Sequence, residues 1–529
     1  MEKKMLLLGD EAVALGAINA GLSGVYAYPG TPSTEITEFI QESPLARERN
    51  IRSRWSTNEK TAMEEALGMS FAGKRAMVCM KHVGMNVCAD AFVNSAITGV
   101  NGGLVVVAAD DPSMHSSQNE QDSRFYGKFA MVPIFEPSNQ QECYDMTVAA
   151  FDLSEKLKLP VLLRLVTRVA HSRAAVSAGP YKDQNVLAPE ADSGHWVLLP
   201  GIAKRQYASL VGKQDIMLSL SEKSPFNRYE QGNSPLGVIA CGIAYNYVRE
   251  AGAENVLKVS QYPLPVSAVE EMARGCNRIL VVEDGQPVVE QEVKMLLGAG
   301  FKVEGRLTGT LPRTGELTPD SVAAALGCGT GPVYKASELV APRPPQLCNG
   351  CSHRDVYSSL VEVLEDYPDA KVFGDIGCYT LGALPPFKAL DSTVDMGASI
   401  TMAKGAADAG LHPAVAVIGD STFTHSGMTG LLDAVNENAD ITVIISDNLT
   451  TAMTGGQQSA GTSKFEQICL GLGVNPDHLK VVVPIPGNRN EIKEIIRREI
   501  EYHGVSVIIP RRECMKTLNK RLSKQRQQR

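Results

Sequence analysis

Gly419-Asp420-Ser421-Thr422 follows the apolar run Ala414 to Ile418, and Asp447-Asn448-Leu449-Thr450 follows the next long run, Ile441 to Ser446. Loops leaving the carboxyl ends of parallel strands are where open α/β sheets bind ligands. Asp420 supplies a hard anionic oxygen, Asn448 a neutral amide oxygen, and Thr450 its main-chain carbonyl. Two diphosphate oxygens and a water would complete an octahedron around Mg²⁺. Gly419, Gly427 and Gly430 let backbone amides and a helix start approach phosphate. A Gly-Asp-Ser turn alone is ordinary strand-to-helix chemistry with an N-cap. The paired Asp-Asn-x-Thr one strand later, followed by Thr454-Gly455-Gly456-Gln457, makes it a metal and diphosphate candidate.

A second constellation is sulfur. Cys348-Asn349-Gly350-Cys351 has C-x-x-C spacing, which by itself fits half a zinc site, a redox dithiol or coincidence. Cys378 sits in the glycine loop Asp375-Ile376-Gly377-Cys378, which follows a strand and should touch a bound diphosphate, and Cys514 follows the apolar run Val505 to Ile509. The other seven of the 11 cysteines, Cys79, Cys88, Cys143, Cys241, Cys276, Cys328 and Cys469, do not cluster and are expected to be small buried hydrophobes.

These residues need parallel strands and helix starts to position them, and the chain has both. Its 529 residues exceed what one core usually organises. Residues 1–180 alternate short apolar strands with helical stretches, the pattern of βαβ units and a parallel sheet. Residues 181–234, richer in Pro, Gly, Ser and charge, are expected to be a linker that wraps the surface. A second α/β unit spans 235–335, and the Pro-rich stretch Ala341 to Pro345 marks the start of a third, 336–514. Residues 515–529 are basic and polar, the composition of a solvated, frayed tail, with a partner-docking helix as the alternative. A net charge of -8 argues against a nucleic-acid footprint. The apolar stretch Met5 to Leu8 is cut short by Gly9, Asp10 and Glu11, and no apolar segment approaches a membrane span. A cytoplasmic location with reduced thiols is therefore expected.

The Gly-Asp-x…Asn pairing is the thiamine-diphosphate fingerprint, and Met453-Thr454-Gly455-Gly456-Gln457 resembles its variant in 2-oxoacid:ferredoxin oxidoreductases. Leu8-Gly9-Asp10-Glu11-Ala12, Tyr28-Pro29-Gly30-Thr31-Pro32-Ser33, Met80 to Asn86, Asp110-Asp111-Pro112, His115 to Asp122 and Met396 to Ile400 resemble the large subunits of indolepyruvate ferredoxin oxidoreductases. That resemblance covers almost the whole chain. It implies an α/β chain of three parallel-sheet domains, two thiamine-diphosphate-binding folds flanking a transketolase-C-like domain. The pyrimidine-binding domain comes first and the Mg²⁺ and diphosphate-binding domain last.

Thiamine catalysis needs a carboxyl beside the aminopyrimidine, supplied in this class from a helix after a strand in the other domain. The segment Trp55 to Ala62 fits, and Glu59 is the expected residue, with Glu64 and Glu65 as ordinary surface acids. The resemblance further implies that Thr31 faces the substrate carboxylate or carbonyl and that Lys81, His82, Gln118 and Arg124 line the substrate site. It assigns the loop residues Ile376, Gly377, Cys378, Gly419, Asp420, Ser421, Thr422, Asn448, Thr450, Thr454 and Gly455 to the cofactor. It also makes Cys348, Cys351, Cys378 and Cys514 the four ligands of a proximal [4Fe–4S] cluster, with zinc as the chemical competitor.

The sequence departs from the family in two places. Asn349 and Ser352 stand where prolines are common, and no C-x-x-C-x-x-C-x-x-x-C-P repeat follows Cys514. Either a partner supplies the distal electron path, or one cluster passes electrons to a soluble acceptor. The implied activity is oxidative decarboxylation of a 2-oxoacid, an arylpyruvate by likeness, with CoA, giving acyl-CoA, CO₂ and reduced ferredoxin. The implied partner is a small subunit of the β/γ type. A non-oxidative thiamine-dependent decarboxylase is the alternative enzyme, and a degenerate scaffold subunit the alternative outside catalysis.

Overall fold

The computed structural model describes residues 4–329, 337–341 and 344–527. The chain divides into two units, Met1–Lys335 and Ala336–Arg529. Part of the Pro-rich connector, residues 342–343, lies outside the described residues.

The first unit holds two large sheets. One has seven strands in the order Gln261–Tyr262, Ile134–Phe135, Val161–Val166, Leu104–Asp110, Ala76–Lys81, Gly24–Ala27, Arg52–Trp55, parallel except for the first. Its central strands are buried along their whole length, which is why they read as unbroken apolar runs rather than alternating ones. The other sheet has the order Lys302–Glu304, Arg278–Val282, Leu236–Cys241, Val256–Val259, Arg228–Glu230, with only the last strand antiparallel. Strand Lys4–Leu8 pairs separately with Arg173–Ser177.

Residues 181–234 are expected to be a linker that wraps the surface. Their beginning does run along the surface: Lys182 N–H donates to the Asn19 carbonyl and Ala188 N–H to the Ala72 carbonyl. The remainder forms helices Pro200–Gly212 and Gln214–Glu222 and then the edge strand Arg228–Glu230. Helix Pro200–Gly212 buries only Leu210, so too little apolar periodicity marked it in the sequence. The two sheets also share chain: Gln261–Tyr262 leaves the second α/β segment to join the first sheet.

The second unit is one six-stranded sheet, wholly parallel, ordered Ser392–Thr393, Lys371–Gly374, Ala414–Gly419, Ile441–Ser446, Val505–Pro510, Leu479–Val482. Ala414–Gly419 and Ile441–Ser446 are neighbours in register, Gly419 opposite Ser446, so their carboxyl ends open side by side. The expected frayed tail is instead helix Met515–Gln527, anchored where Leu518 N–H donates to the Cys514 carbonyl. No described helix is long and apolar enough to cross a membrane.

Candidate functional site

In the second unit, Asp420 is the first residue after strand Ala414–Gly419 and is 3% exposed. Its Oδ1 accepts from Ser421 N–H at 2.6 Å and its Oδ2 from Thr450 N–H at 3.0 Å. The same Thr450 N–H lies 3.2 Å from Asn448 Oδ1, so the Asp420 and Asn448 oxygens converge on one point. Burial, reinforced by the Asp447 carboxylate, pushes Asp420 up to about 7. Such a group gains from a cation, so the donor set fits Mg²⁺ in charge and hardness. Ser421 Oγ and Thr451 Oγ1 are 2.7 Å apart, and Thr450 Oγ1 donates to the Gln457 carbonyl at 2.9 Å, tying the segment that carries Thr454 and Gly455 to this centre.

Tyr379, which the sequence did not single out, joins the two glycine loops. Its ring lies where a Cβ on Gly377 or on Gly419 would stand, 2.4 Å from Tyr379 Cε1 in each case. Its hydroxyl is 3.0 Å from Thr422 Oγ1 and 3.2 Å from the Ile376 carbonyl. Asp375, also overlooked, accepts Gly397 N–H at 2.6 Å and Ser399 N–H at 3.3 Å, fixing the start of helix Ala398–Asp408 against the Ile376–Cys378 loop. Both are long-range effects without a local sequence signal.

Cys348 is exposed, and Cys351, Cys378 and Cys514 are half-buried. Cys351 N–H donates to the Cys348 carbonyl, and Cys514 N–H to the Asn448 carbonyl, which sets Cys514 beside the Asn448–Thr450 loop. Burial raises Cys378 to about 12, and the thiols of Cys351, Cys514 and Cys348 add to the rise. Among the described residues, no group of three or more cysteines lies at the spacing of ligands to one metal ion, so the arrangement singles out neither the iron–sulfur nor the zinc reading. Of the seven remaining cysteines six are buried, but Cys328 is exposed, contrary to expectation; it follows a short helix, and its thiol lies 3.4 Å from the Ala251 carbonyl.

In the first unit, Glu59 opens helix Glu59–Phe71 after strand Arg52–Trp55 and is 5% exposed, whereas Glu64 and Glu65 are exposed. Asn58 caps this helix, accepting Thr61 N–H at 2.8 Å. Gly84 presses against the Glu59 carboxyl, so closely that a Cβ there would stand 2.6 Å from Glu59 Cγ.

The expected substrate residues separate. Lys81 donates to the Ser116 carbonyl, and Ser116 Oγ donates to the Thr31 carbonyl at 3.4 Å, so Thr31 and Lys81 meet through one loop. Asp111 holds that loop by accepting Ser116 N–H at 2.8 Å and Ser117 Oγ at 2.5 Å. Burial lowers Lys81 to about 8. His82 is buried, with Nε2 at 3.2 Å from Asn119 Oδ1, and Gln118 is exposed.

Arg124 does not belong with them. It is fully buried in an ion network, 2.6 Å from Asp122 and 2.9 Å from Glu283, with Arg164 2.6 Å from Asp110 alongside. An arginine taken wholly out of water needs such partners, and these satisfy it without a ligand. It stands at the join of the two sheets, where its charge is met within the fold.

The family model "Pyruvate flavodoxin/ferredoxin oxidoreductase, thiamine diP-bdg" matches residues 15–198, and "Thiamine pyrophosphate enzyme, C-terminal TPP binding domain" matches 375–509. Glu59 falls in the first match, and Asp420 and Asn448 in the second. The chain is 40% identical to indolepyruvate oxidoreductase subunit IorA of Archaeoglobus fulgidus, over 97% of this chain and 86% of that one. It is 39% identical to the IorA subunit of Methanothermobacter thermautotrophicus, over 97% of this chain and 87% of that one. In fold it is similar to a 2-oxoglutarate:ferredoxin oxidoreductase from Magnetococcus marinus, with a TM-score of 0.52 at 17% identity, over 62% of this chain and 65% of that one. With the strand-end Asp420 and Asn448 pair, the buried Glu59 and these likenesses, the chain belongs to the indolepyruvate oxidoreductase subunit IorA family.

Proposed function

We propose that the chain is the thiamine-diphosphate-binding subunit of a 2-oxoacid oxidoreductase, which converts an arylpyruvate and CoA to acyl-CoA and CO₂ with electrons passed to ferredoxin or a similar acceptor. The observation that carries this is the convergence of the Asp420 and Asn448 oxygens at adjacent strand ends, in a chain of this family. When bound, the cofactor supplies a carbon nucleophile and an electron sink. The protein's part is binding, orientation and proton placement. Asp420, Asn448 and the Thr450 carbonyl hold Mg²⁺, while Ile376, Gly377, Cys378, Gly419, Ser421, Thr422, Thr454 and Gly455 surround the diphosphate. Glu59 holds a proton at the aminopyrimidine N1′, and its burial keeps water from that exchange. Thr31 and Lys81 hold the substrate carboxylate, with His82 and Gln118 beside them. A smaller partner subunit completes the enzyme, and the cytoplasm is its place.

Cys348, Cys351, Cys378 and Cys514 hold one [4Fe–4S] cluster, a reading supported by the C-x-x-C spacing of the first pair, the glycine loop that carries Cys378 and the bond from Cys514 N–H to the Asn448 carbonyl. Anaerobically purified complex is expected to hold about four irons per large chain. Cys378→Ala should lose them, measured by iron analysis and EPR. Iron unchanged in that variant would remove Cys378 from the ligand set.

Lys81 gives a pH signature. With burial holding it near 8, it is charged below that pH and neutral above it. The KM for a 2-oxoacid is therefore expected to rise about tenfold per pH unit above 8, and Lys81→Met should abolish that limb. A KM profile identical in the variant would place Lys81 away from the substrate.

The overall reading is tested with arylpyruvate, CoA and a low-potential acceptor added to the complex with its partner. Acceptor reduction that requires CoA is the expected result. Aldehyde formed without CoA consumption would instead favour the non-oxidative decarboxylase.

A further inference from the structure

Away from these residues, Asp10, Glu35 and His171 each bring one ligand atom within 4.8 Å of the others. Three segments place them. Leu8 is paired with Arg173 at the end of the antiparallel strands Lys4–Leu8 and Arg173–Ser177, so Asp10, two residues beyond, and His171, two residues before, emerge together. Glu35 comes from the first turn of helix Thr34–Glu42. The turn carrying His171 is pinned by Gln140, whose amide donates to the carbonyls of Val169 at 3.2 Å and Ser172 at 2.9 Å.

His171 Nε2 stands 3.4 Å from Glu35 Oε2 and 4.0 Å from Asp10 Oδ2. Metal–ligand bonds of about 2.0–2.1 Å in a tetrahedral site put neighbouring donors about 3.3 Å apart. The trio is therefore within a small side-chain adjustment of that geometry. Asp10 is 0% exposed, and among the described residues no backbone N–H or basic side chain donates a hydrogen bond to its oxygens, its one side-chain partner being the neighbouring Glu35 carboxyl. No described Lys or Arg pairs with Asp10 or Glu35. The adjacent acid Glu11 is committed elsewhere, to Leu8 N–H at 2.8 Å and Arg173 at 3.0 Å. A carboxylate buried without donors is costly, and a cation is one way to compensate it. One imidazole and two carboxylates form a donor set for a borderline divalent metal.

We propose that Asp10, Glu35 and His171 form a binding site for one divalent transition-metal ion of the Zn²⁺ class. His171 is 34% exposed on its side chain and forms the open side, where water takes the fourth position. The site joins the first strand pair to the helix that begins three residues after Thr31. It is independent of the Mg²⁺ and cysteine assignments, so either can fail without the other.

The test is a Co²⁺ titration of the chelator-stripped full chain, without thiamine diphosphate. One Co²⁺ with weak visible d–d absorption and no thiolate charge-transfer band is expected. His171→Gln should weaken this binding by at least about tenfold, Asp10→Asn should remove it, and Asp420→Asn should leave it unchanged. His171 is part-exposed, so its variant folds even if Asp10→Asn does not. Titrations of His171→Gln that match the parent chain would overturn the proposal. So would loss of the band in Asp420→Asn, or a spectrum of purely thiolate type. An Asp10→Asn chain that melts higher but keeps its Co²⁺ would also overturn it, because the two carboxyls would then share only a proton.

Discussion

Glu59→Gln is expected to lower turnover about 10²–10⁴-fold, the range a positioned general acid or base contributes, while thiamine-diphosphate binding and the melting temperature stay close to the parent. The amide keeps the shape of the side chain in its buried position at the head of helix Glu59–Phe71 but cannot exchange the proton. Steady-state assay of the complex, with cofactor binding followed separately, checks it. Turnover within a fewfold of the parent would remove Glu59 from the mechanism. Gly84→Ala provides the geometric companion. Its Cβ would fall 2.8 Å from Glu59 Oε1, so the carboxyl must move, and misplacement of about 1 Å can cost 10²-fold in rate. If Glu59 acts through its position, the alanine variant loses activity although the glutamate is intact.

Asp420→Asn is expected to abolish Mg²⁺-dependent cofactor binding while making the cofactor-free chain more stable at pH 8. Asp420 is raised in the fold, to about 7, by burial and by Asp447. A carboxyl with a raised pKa binds more protons folded than unfolded, so it lowers stability as pH climbs from about 4 to 7 and leaves the full deficit above that. Removing the charge recovers on the order of 4 kcal/mol at the upper bound, since a pKa unit is about 1.36 kcal/mol. The check is a thermal melt of parent and variant at pH 5 and pH 8, with and without Mg²⁺ and thiamine diphosphate. The variant should melt higher than the parent only at pH 8 and only without ligand. A variant that melts lower at pH 8 without ligand would mean that Asp420 is satisfied by the fold alone. The same sign gives the parent weaker Mg²⁺ affinity below pH 7, where a proton competes for the site.

The alternation of strands and helices was legible in the sequence because buried parallel strands must be apolar throughout, as in Leu104–Asp110 and Ile441–Ser446. The Asp420 and Asn448 loops were legible as strand-end loops for the same reason: each begins where an apolar strand stops. Glu59 could be chosen because it opens a helix after a strand, a local signal. Cys348 and Cys351 are a local motif too.

What the sequence could not determine depends on contacts between distant segments. Nothing local shows that Tyr379 fills the space between two glycine loops, or that Arg124 is consumed by Asp122 and Glu283 rather than left for a ligand. Helix Pro200–Gly212, mostly exposed and burying only Leu210, lacks the apolar face that would announce it. The helix from Met515 follows Cys514, whose N–H meets the Asn448 carbonyl 66 positions earlier in the chain. Asp10, Glu35 and His171 meet only because two strands pair antiparallel and a third segment packs across their end. Sequence patterns report the period of burial along one segment. Which side chains end as neighbours is set by the packing of segments far apart in the chain, and this decided which polar residues are free to act.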